Sequence, residues 1–323
     1  AILEGSKEFA KEFMYRHKIP TARYRTFDKK NIHEAKAFLS SLNPPYVLKA
    51  DGLAAGKGVL ILTDLNEAKQ SLEKMILEKK FGQASERVVI EEYLNGIEVS
   101  SFVLTDGHSY KIFPMAKDYK RIGVGDTGLN TGGMGAISPV PFVDQKLYQK
   151  IENQIIQPTI NGLKKDKIDY TGFLFIGLMI VKNEPYVVEY NVRLGDPETE
   201  AILPRIESDL LEIFLQLKSS QLQTSNLKVS NLFSTTVMTV SKGYPEKYEK
   251  GKIITGLDCK NESFLFHSGT KIEGQNIVTS GGRVIAVTSM DKDLKIALEK
   301  SYKTISKIDF DGKTFRNDIG FDL

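Results

Sequence analysis

The sequence predicts an α+β fold built on antiparallel sheets, with a β-rich C-terminal part. Three observations predict it. Glu98–Leu104 and Ser109–Pro114 alternate around Asp106-Gly107, and Leu178–Lys182 and Tyr186–Asn191 flank Asn183-Glu184. Hairpins of this kind argue against a simple doubly wound parallel sheet. A long helical pattern separates the two hairpins, and the last hundred or so residues turn to strands. At 323 residues the chain has the length of two or three domains rather than one.

The elements follow in order. A helix is expected from Ser6, whose hydroxyl suits an N-cap, with Phe9, Phe13 and Met14 at helical spacing; it ends before Pro20. Tyr46–Ala50 and Val59–Thr63 read as strands with a glycine-rich loop between them, and Glu67–Lys79 as a helix burying Ala68, Leu72, Met75 and Ile76. Thr21–Ala84 is therefore a small α+β unit. Arg87–Glu91 is a strand. Asp144–Leu163 is a helix kinked or split at Pro158. A further helix follows Ser208, and the polar stretch Lys218–Ser230 reads as a linker. Strands at Phe233–Ser241, Ser263–His267 and Gly282–Thr288 and a helix from near Asp291 complete the chain. There is no internal repeat and no low-complexity tract.

Composition excludes several classes. With 44 basic and 41 acidic residues, bulk charge gives no argument for nucleic-acid or membrane binding. The single cysteine, Cys259, allows no intramolecular disulfide and fits a reducing compartment. No histidine has a second His or Cys at metal-ligand spacing, and no Gly-x-Ser-x-Gly elbow occurs, so zinc and serine hydrolases lack support. The longest apolar stretch, Gly172–Val181, is far short of the roughly 20 residues that span a bilayer. The opening Ala1-Ile2-Leu3-Glu4-Gly5 has no signal-peptide character. A soluble cytoplasmic protein, with no nucleic-acid or membrane partner, is the expectation. The missing initiator Met and the immediate start of a helix suggest a missing N-terminal piece.

Four groups of residues carry chemistry. Asp51-Gly52-Leu53-Ala54-Ala55-Gly56-Lys57-Gly58 lies between two strands. Its glycines let backbone N–H groups approach phosphate, and Lys57 adds charge. It is no Walker loop: three residues rather than four separate Gly52 from Gly56, and Gly58 stands where Ser or Thr is needed. A flexible hairpin flap and an ordinary mobile loop both fit. Lys49, just before it, is either paired with an anion such as a nucleotide phosphate or an edge lysine facing water. Next, Val88–Leu94 leaves a strand with Glu91 and Glu92, and Glu98 follows. A backbone segment there has the donor and acceptor an adenine needs, and a carboxylate can take ribose hydroxyls, although acidic residues after a strand are commonly just solvated.

The sharpest group is Val187–Arg193. Strand alternation puts Glu189, Asn191 and Arg193 on one face. A carboxylate and an amide oxygen suit Mg²⁺, and a guanidinium beside them suits a transferring phosphoryl group. A solvated hairpin face is the bland alternative; the carboxylate-rich turn Gly195-Asp196-Pro197-Glu198 favours function. Last, Lys117-Asp118-Tyr119-Lys120-Arg121 precedes Asn130-Thr131-Gly132-Gly133-Met134-Gly135. Cations and a polar glycine-rich loop fit a phosphorylated substrate or a plain surface loop, and spacing does not choose.

Together these stretches resemble the ATP-grasp superfamily and, within it, the glycinamide ribonucleotide synthetases (phosphoribosylamine–glycine ligases). The resemblance runs in order from Leu3–Lys7 and Ile19–Ala22 through Lys49–Val59, Asn130–Ala136, Tyr170–Phe173 and Glu189–Thr199. It continues through Phe266–Lys271 and Gly281–Val284 to Phe315-Arg316 and Asp318–Gly320. It implies two α+β subdomains gripping ATP: a core at 1–20 and 85–217, a lid at 21–84, and a C-terminal β-rich domain at 218–323. It implies an ADP-forming ligase of purine synthesis that joins glycine to 5-phosphoribosylamine through a glycyl phosphate, using ATP and Mg²⁺ or Mn²⁺. By residue, Lys7 and Lys49 would contact nucleotide phosphates, and Gly56, Lys57 and Gly58 would cover them. Glu91, Glu92 and Leu94 would frame adenine and Glu98 the ribose. Glu189 and Asn191 would bind metal, with Arg193 and Lys57 at the reacting phosphate. Lys120, Arg121, Asn130, Thr131, Gly132 and Asp196 would hold substrate. The family begins with a further domain of about 100 residues, so a separate N-terminal fragment joins the implied partners. Another ATP-grasp carboxylate–amine ligase, or a nucleotide-binding fragment that needs that domain for activity, are the alternatives. The Asn130–Ala136 and Gly195–Thr199 motifs argue against the first.

Overall fold

The computed structural model describes residues 2–54, 58–218, 222–258 and 263–323. They divide into two units. The first comprises Ala1–Glu98, Val103–Tyr110 and Gln145–Arg193, and the second Val99–Phe102, Lys111–Asp144 and Leu194–Leu323.

In the first unit, Ser6 caps the helix Lys7–Arg16 as expected, accepting the Phe9 N–H at 3.0 Å. Asp51, at the base of the glycine-rich loop, reinforces that cap. Its Oδ1 accepts from the Ser6 hydroxyl at 2.9 Å and from the Glu8 N–H at 2.7 Å, satisfying donors that a helix start leaves open. A four-stranded antiparallel sheet runs in the order Tyr24–Asp28, Arg87–Glu92, Tyr46–Ala50, Val59–Leu62. Helices Ile32–Ser40 and Leu65–Ile76 belong to the same layer pair, and Phe27, Leu39, Leu48, Leu72, Met75 and Ile90 form its core. The second helix begins two residues earlier than predicted because the Asp64 carboxylate caps it, accepting from Glu67 N–H at 2.7 Å. Ala68, Leu72, Met75 and Ile76 are its buried face, as read from their spacing.

Gly172–Val181 and Glu184–Asn191 form the predicted antiparallel hairpin, with an irregularity between Gly177 and Leu178. The kinked helix is Gln145–Ile151, a π-helical turn Glu152–Ile156, and Gln157–Lys165. The break falls one turn before Pro158, because a proline ring displaces the carbonyl four residues back and offers it no N–H.

In the second unit, antiparallel strands run in the order Tyr110–Asp118, Gly135–Ser138, Phe233–Val240, Arg283–Asp291, Ser263–His267. The helix Leu294–Ile305, capped by Asp293, packs against Phe233–Val240 and Arg283–Asp291. Val237, Ile285, Val287, Ile305 and Ile308 lie in its core. Two small hairpins, Arg121–Gly123 with Thr127–Asn130 and Thr270–Glu273 with Asn276–Thr279, were not predicted; each strand is too short to show alternation. The stretch read as a linker differs too. Its described part is docked: Leu222 is buried, Ile206 bridges to Val229, and Arg205 donates to the carbonyls of Ser230 and Leu232 at 2.8 and 2.9 Å. Its polar side chains concealed main-chain hydrogen bonding, which composition does not report.

Candidate active-site residues

In the first unit the central feature is a buried ionic cluster. Lys49 is on the strand Tyr46–Ala50, and Glu91 is on the neighbouring strand Arg87–Glu92. Both ammonium groups of Lys11 and Lys49 lie 3.1 Å from the same oxygen, Glu91 Oε2. Lys49 also donates to the Val188 carbonyl at 3.3 Å, and Lys11 to the Thr21 hydroxyl at 2.7 Å. Lys11, Lys49 and Glu91 are 2%, 6% and 4% exposed. Lys49 is thus a buried, paired lysine and not an edge residue in water. Burial would push the Glu91 carboxyl up, but Lys49 and Lys11 outweigh it and hold the pKa below the usual range. Burial lowers Lys11 to about 8 against the opposing pull of Glu91. Lys7 is lowered by burial as well, with Glu189 raising it and Lys49 lowering it further. Its ammonium reaches the Gly52 carbonyl at 3.5 Å.

Glu189 and Asn191 stand half-buried on the hairpin strand, and Tyr190 between them is buried on the other side. Gly177 pairs with Glu189 across the hairpin, and a Cβ there would crowd the Glu189 Cγ at 3.2 Å. The strand ends at Asn191, so alternation accounts for Glu189 and Asn191 only. Arg193 lies in the following bend and is exposed. Glu4 directs it: one carboxylate oxygen accepts the Val192 N–H at 2.9 Å and the other lies 3.6 Å from Arg193 Nε. Glu189 and Asn191 present only oxygen donors to a metal, a set that suits Mg²⁺ or Mn²⁺. No group of three or more His, Cys, Asp or Glu at metal-binding distance occurs among the described residues. A divalent ion here would therefore draw its other ligands from phosphate oxygens or water.

Glu92 uses both its N–H and its carboxylate on Arg23, at 2.9 and 2.8 Å. Leu94 and Glu98 are half-buried on the segment that leaves this strand. Gly58 is buried, and its carbonyl accepts the Ala50 N–H at 2.8 Å. Gly56 and Lys57, and Cys259, lie outside the described residues.

In the second unit Arg283 draws two motifs together. Its guanidinium donates to the Gly132 carbonyl at 2.7 Å and to the Asp196 carbonyl and carboxylate at 2.9 Å each. Thr131 donates its N–H and its hydroxyl to the Lys120 carbonyl at 2.8 Å each. Gly133 has φ +118°, and a Cβ there would overlap Pro197, so only glycine permits this approach. Lys120, Thr131, Gly132 and Asp196 thus share one neighbourhood. Asn130 is exposed opposite Arg121 in the small hairpin, and Arg121 donates to the Gly128 carbonyl at 2.7 Å.

Beside this neighbourhood Glu198 is 4% exposed and accepts from the Ser100 hydroxyl at 3.0 Å. Burial and the Asp118 carboxylate raise its pKa to about 8. An unfolded glutamate loses its proton near 4.5, so this group favours the folded chain fully only at lower pH. Its contribution should fall between about pH 4.5 and 8, by up to ~1.4 kcal/mol per pH unit. Glu198→Gln should therefore flatten the fall of the denaturation midpoint between pH 6 and 8. An unchanged slope would show that Glu198 is already ionised.

Sequence reasoning assigned no role to Lys11, Glu4 or Arg283. Lys7 and Lys11 are one helical turn apart, which marks a shared face, and Gly281-Gly282-Arg283 stood out only through resemblance.

Comparisons with known proteins place the fold and the family. Residues 5–199 match the model of the phosphoribosylglycinamide synthetase ATP-grasp (A) domain, and residues 234–322 that of the C domain of the same synthetase. The phosphoribosylamine–glycine ligase of Chlorobaculum tepidum is 46% identical over 324 residues, covering 99% of this chain and 76% of the relative. A bifunctional purine biosynthetic protein of Schizosaccharomyces pombe is 45% identical over 321 residues, covering 99% of this chain and 40% of its own length. The crystal structure of the Thermotoga maritima phosphoribosylamine–glycine ligase superposes with a TM-score of 0.91 at 38% identity, covering 98% of this chain and 79% of that one. A biotin carboxylase of Campylobacter jejuni shares the fold at 16% identity, with a TM-score of 0.75 over 98% of this chain and 69% of that one.

Proposed function

This chain belongs to the phosphoribosylglycinamide synthetase family, and we propose that it is the ATP-using part of a ligase joining glycine to 5-phosphoribosylamine. The observation that carries the proposal is the juxtaposition, within one unit, of the buried Lys49 with Lys7 and with the Glu189–Asn191 face. Glycine's carboxylate is a poor electrophile. Its oxygen attacks the γ-phosphorus of ATP, the bond to the β-phosphate oxygen breaks, and ADP leaves. The amine of phosphoribosylamine then attacks the acyl carbon and displaces phosphate, losing a proton.

Lys7 and Lys49 hold nucleotide phosphates, and Arg193 meets the charge of the transferring group. Glu92, Leu94 and Glu98 surround the nucleoside. Glu91 acts from behind the site, holding Lys49, since its carboxylate is buried against the lysines. Glu189 and Asn191 hold Mg²⁺ or Mn²⁺, which supplies charge neutralisation at the phosphate oxygens. Lys120, Arg121, Asn130, Thr131, Gly132 and Asp196 bind the phosphorylated amine, with Arg283 holding the last two in register. Gly56, Lys57 and Gly58 form a cover that keeps water from the acyl phosphate. The molecules handled are small ones, and no helix among the described residues is long and apolar enough to cross a membrane.

ADP release measured with glycine, formate and bicarbonate in turn, each with and without the amine, tests the assignment. Release is expected with glycine and phosphoribosylamine. Release with formate or bicarbonate but not glycine would place the chain in another branch of ATP-grasp chemistry.

A further inference from the structure

We propose that Lys11 is a positioning residue for the nucleotide phosphates: by sharing Glu91 with Lys49, it leaves the Lys49 charge available to an anion. This rests on the reading that Lys49 faces those phosphates.

One carboxylate and one ammonium, buried together, make a neutral pair whose attraction offsets part of the desolvation cost. This cluster has two ammonium groups on one carboxylate oxygen, both at 3.1 Å. These three buried side chains therefore carry a net charge of +1 between them, with Lys7 and Glu189 the next charges nearby. The other oxygen, Glu91 Oε1, is buried and has no hydrogen-bond partner among the described residues. Among the described residues no second acid forms an ion pair with either lysine: besides Glu91, Lys11 donates to the Thr21 hydroxyl and lies 5.5 Å from the centre of the Tyr24 ring, and Lys49 donates to the Val188 carbonyl. A buried excess charge of this kind is costly unless an anion meets it. Lys11 lies on the inner side of its helix beside the buried Ala10 and Met14. Lys49 immediately precedes Ala50 and the glycine-rich loop. Lys11 thus holds Glu91 from the packed side, and Lys49 is the member placed to meet a phosphate.

The charge count makes the test specific. Lys11→Met keeps the length and helix propensity of the side chain but reduces the cluster to a neutral Lys49–Glu91 pair. Adding Glu91→Gln to it restores +1 on Lys49 alone. Dissociation constants for ADP and for adenosine are measured on the 323-residue chain, with adenosine as the control that carries no phosphate. K11M should weaken ADP by about tenfold, as expected for one unit of charge removed near the phosphates in a partly screened site. Adenosine binding should stay within about twofold, and K11M/E91Q should recover ADP binding to within about threefold of the parent. Should Met at this position prevent folding, Lys11→Gln keeps a donor for Glu91 while removing the charge, and the same comparison applies to K11Q and K11Q/E91Q.

Unchanged ADP binding in K11M, an equal loss for ADP and adenosine, or a double variant no better than the single one would each overturn the inference. A purely structural lysine would give the second or third of these. Lys49→Met is run in parallel. If it leaves ADP binding intact, the Lys49 reading itself fails; if it weakens ADP while K11M does not, only the role of Lys11 is lost.

Discussion

Glu189→Ala is expected to cut turnover by about a thousandfold, the scale found when a group that stabilises transferred charge is removed, while leaving the fold intact. The side chain is half-buried on the hairpin strand and lies over Gly177, so its loss opens no enclosed cavity. A shift in the thermal midpoint of no more than a few degrees follows, because such surface changes alter stability by about 0.5 kcal/mol or less. The chemistry suffers for two reasons. One of the two oxygen groups proposed to hold the metal disappears. Lys7, whose pKa burial lowers and Glu189 partly restores, also loses its main electrostatic support and is more readily neutral. Steady-state ADP release alongside thermal unfolding checks both halves. Activity near that of the parent at ordinary Mg²⁺ would remove the metal assignment, and an unfolded variant would show that Glu189 is structural.

Arg316→Ala should lower unfolding stability by roughly 3 kcal/mol, as a buried charge network loses its centre. It should also raise KM for the phosphorylated amine by about tenfold, or ~1.4 kcal/mol. Arg316 is 1% exposed and grips Asp318 with Nε and Nη2 at 2.8 and 2.7 Å. Its remaining nitrogen, Nη1, reaches Asp126 and the Arg121 carbonyl. Asp318 in turn accepts the Gly125 N–H at 2.7 Å. One guanidinium therefore fastens the C-terminal segment to the first strand and the turn of the Arg121–Asn130 hairpin, which carries two proposed substrate residues. Arg316→Lys should not restore either property, because an ammonium cannot reproduce the planar fork. Denaturant unfolding and substrate titration of both variants measure this. Rescue by lysine would reduce Arg316 to a simple counter-ion.

The readable parts of this protein were those governed by a few neighbouring residues. Ser6 caps its helix because a hydroxyl at that place is within reach of the N–H groups next in line. Ala68, Leu72, Met75 and Ile76 share a buried face because helical spacing alone puts them there. Glu189 and Asn191 fall together because a strand alternates, and the same rule stopped being informative at Arg193, where the strand had ended. The hairpins around Asp106-Gly107 and Asn183-Glu184 were equally local. The ordered match of motifs added the family, and with it the chemistry that residue types in isolation left open.

What only the tertiary structure decided is which charges meet. Glu91 looked like a carboxylate leaving a strand into solvent or towards a nucleoside. Strand neighbours on both sides and the first helix instead bury it against Lys49 and Lys11. Arg283 and Arg316 are far along the chain from the Asp196 and Arg121–Asn130 segments they hold. Propensity and periodicity describe short windows, whereas the partner of a buried charge depends on the order in which strands assemble, and only that assembly removes the water that would otherwise have screened it.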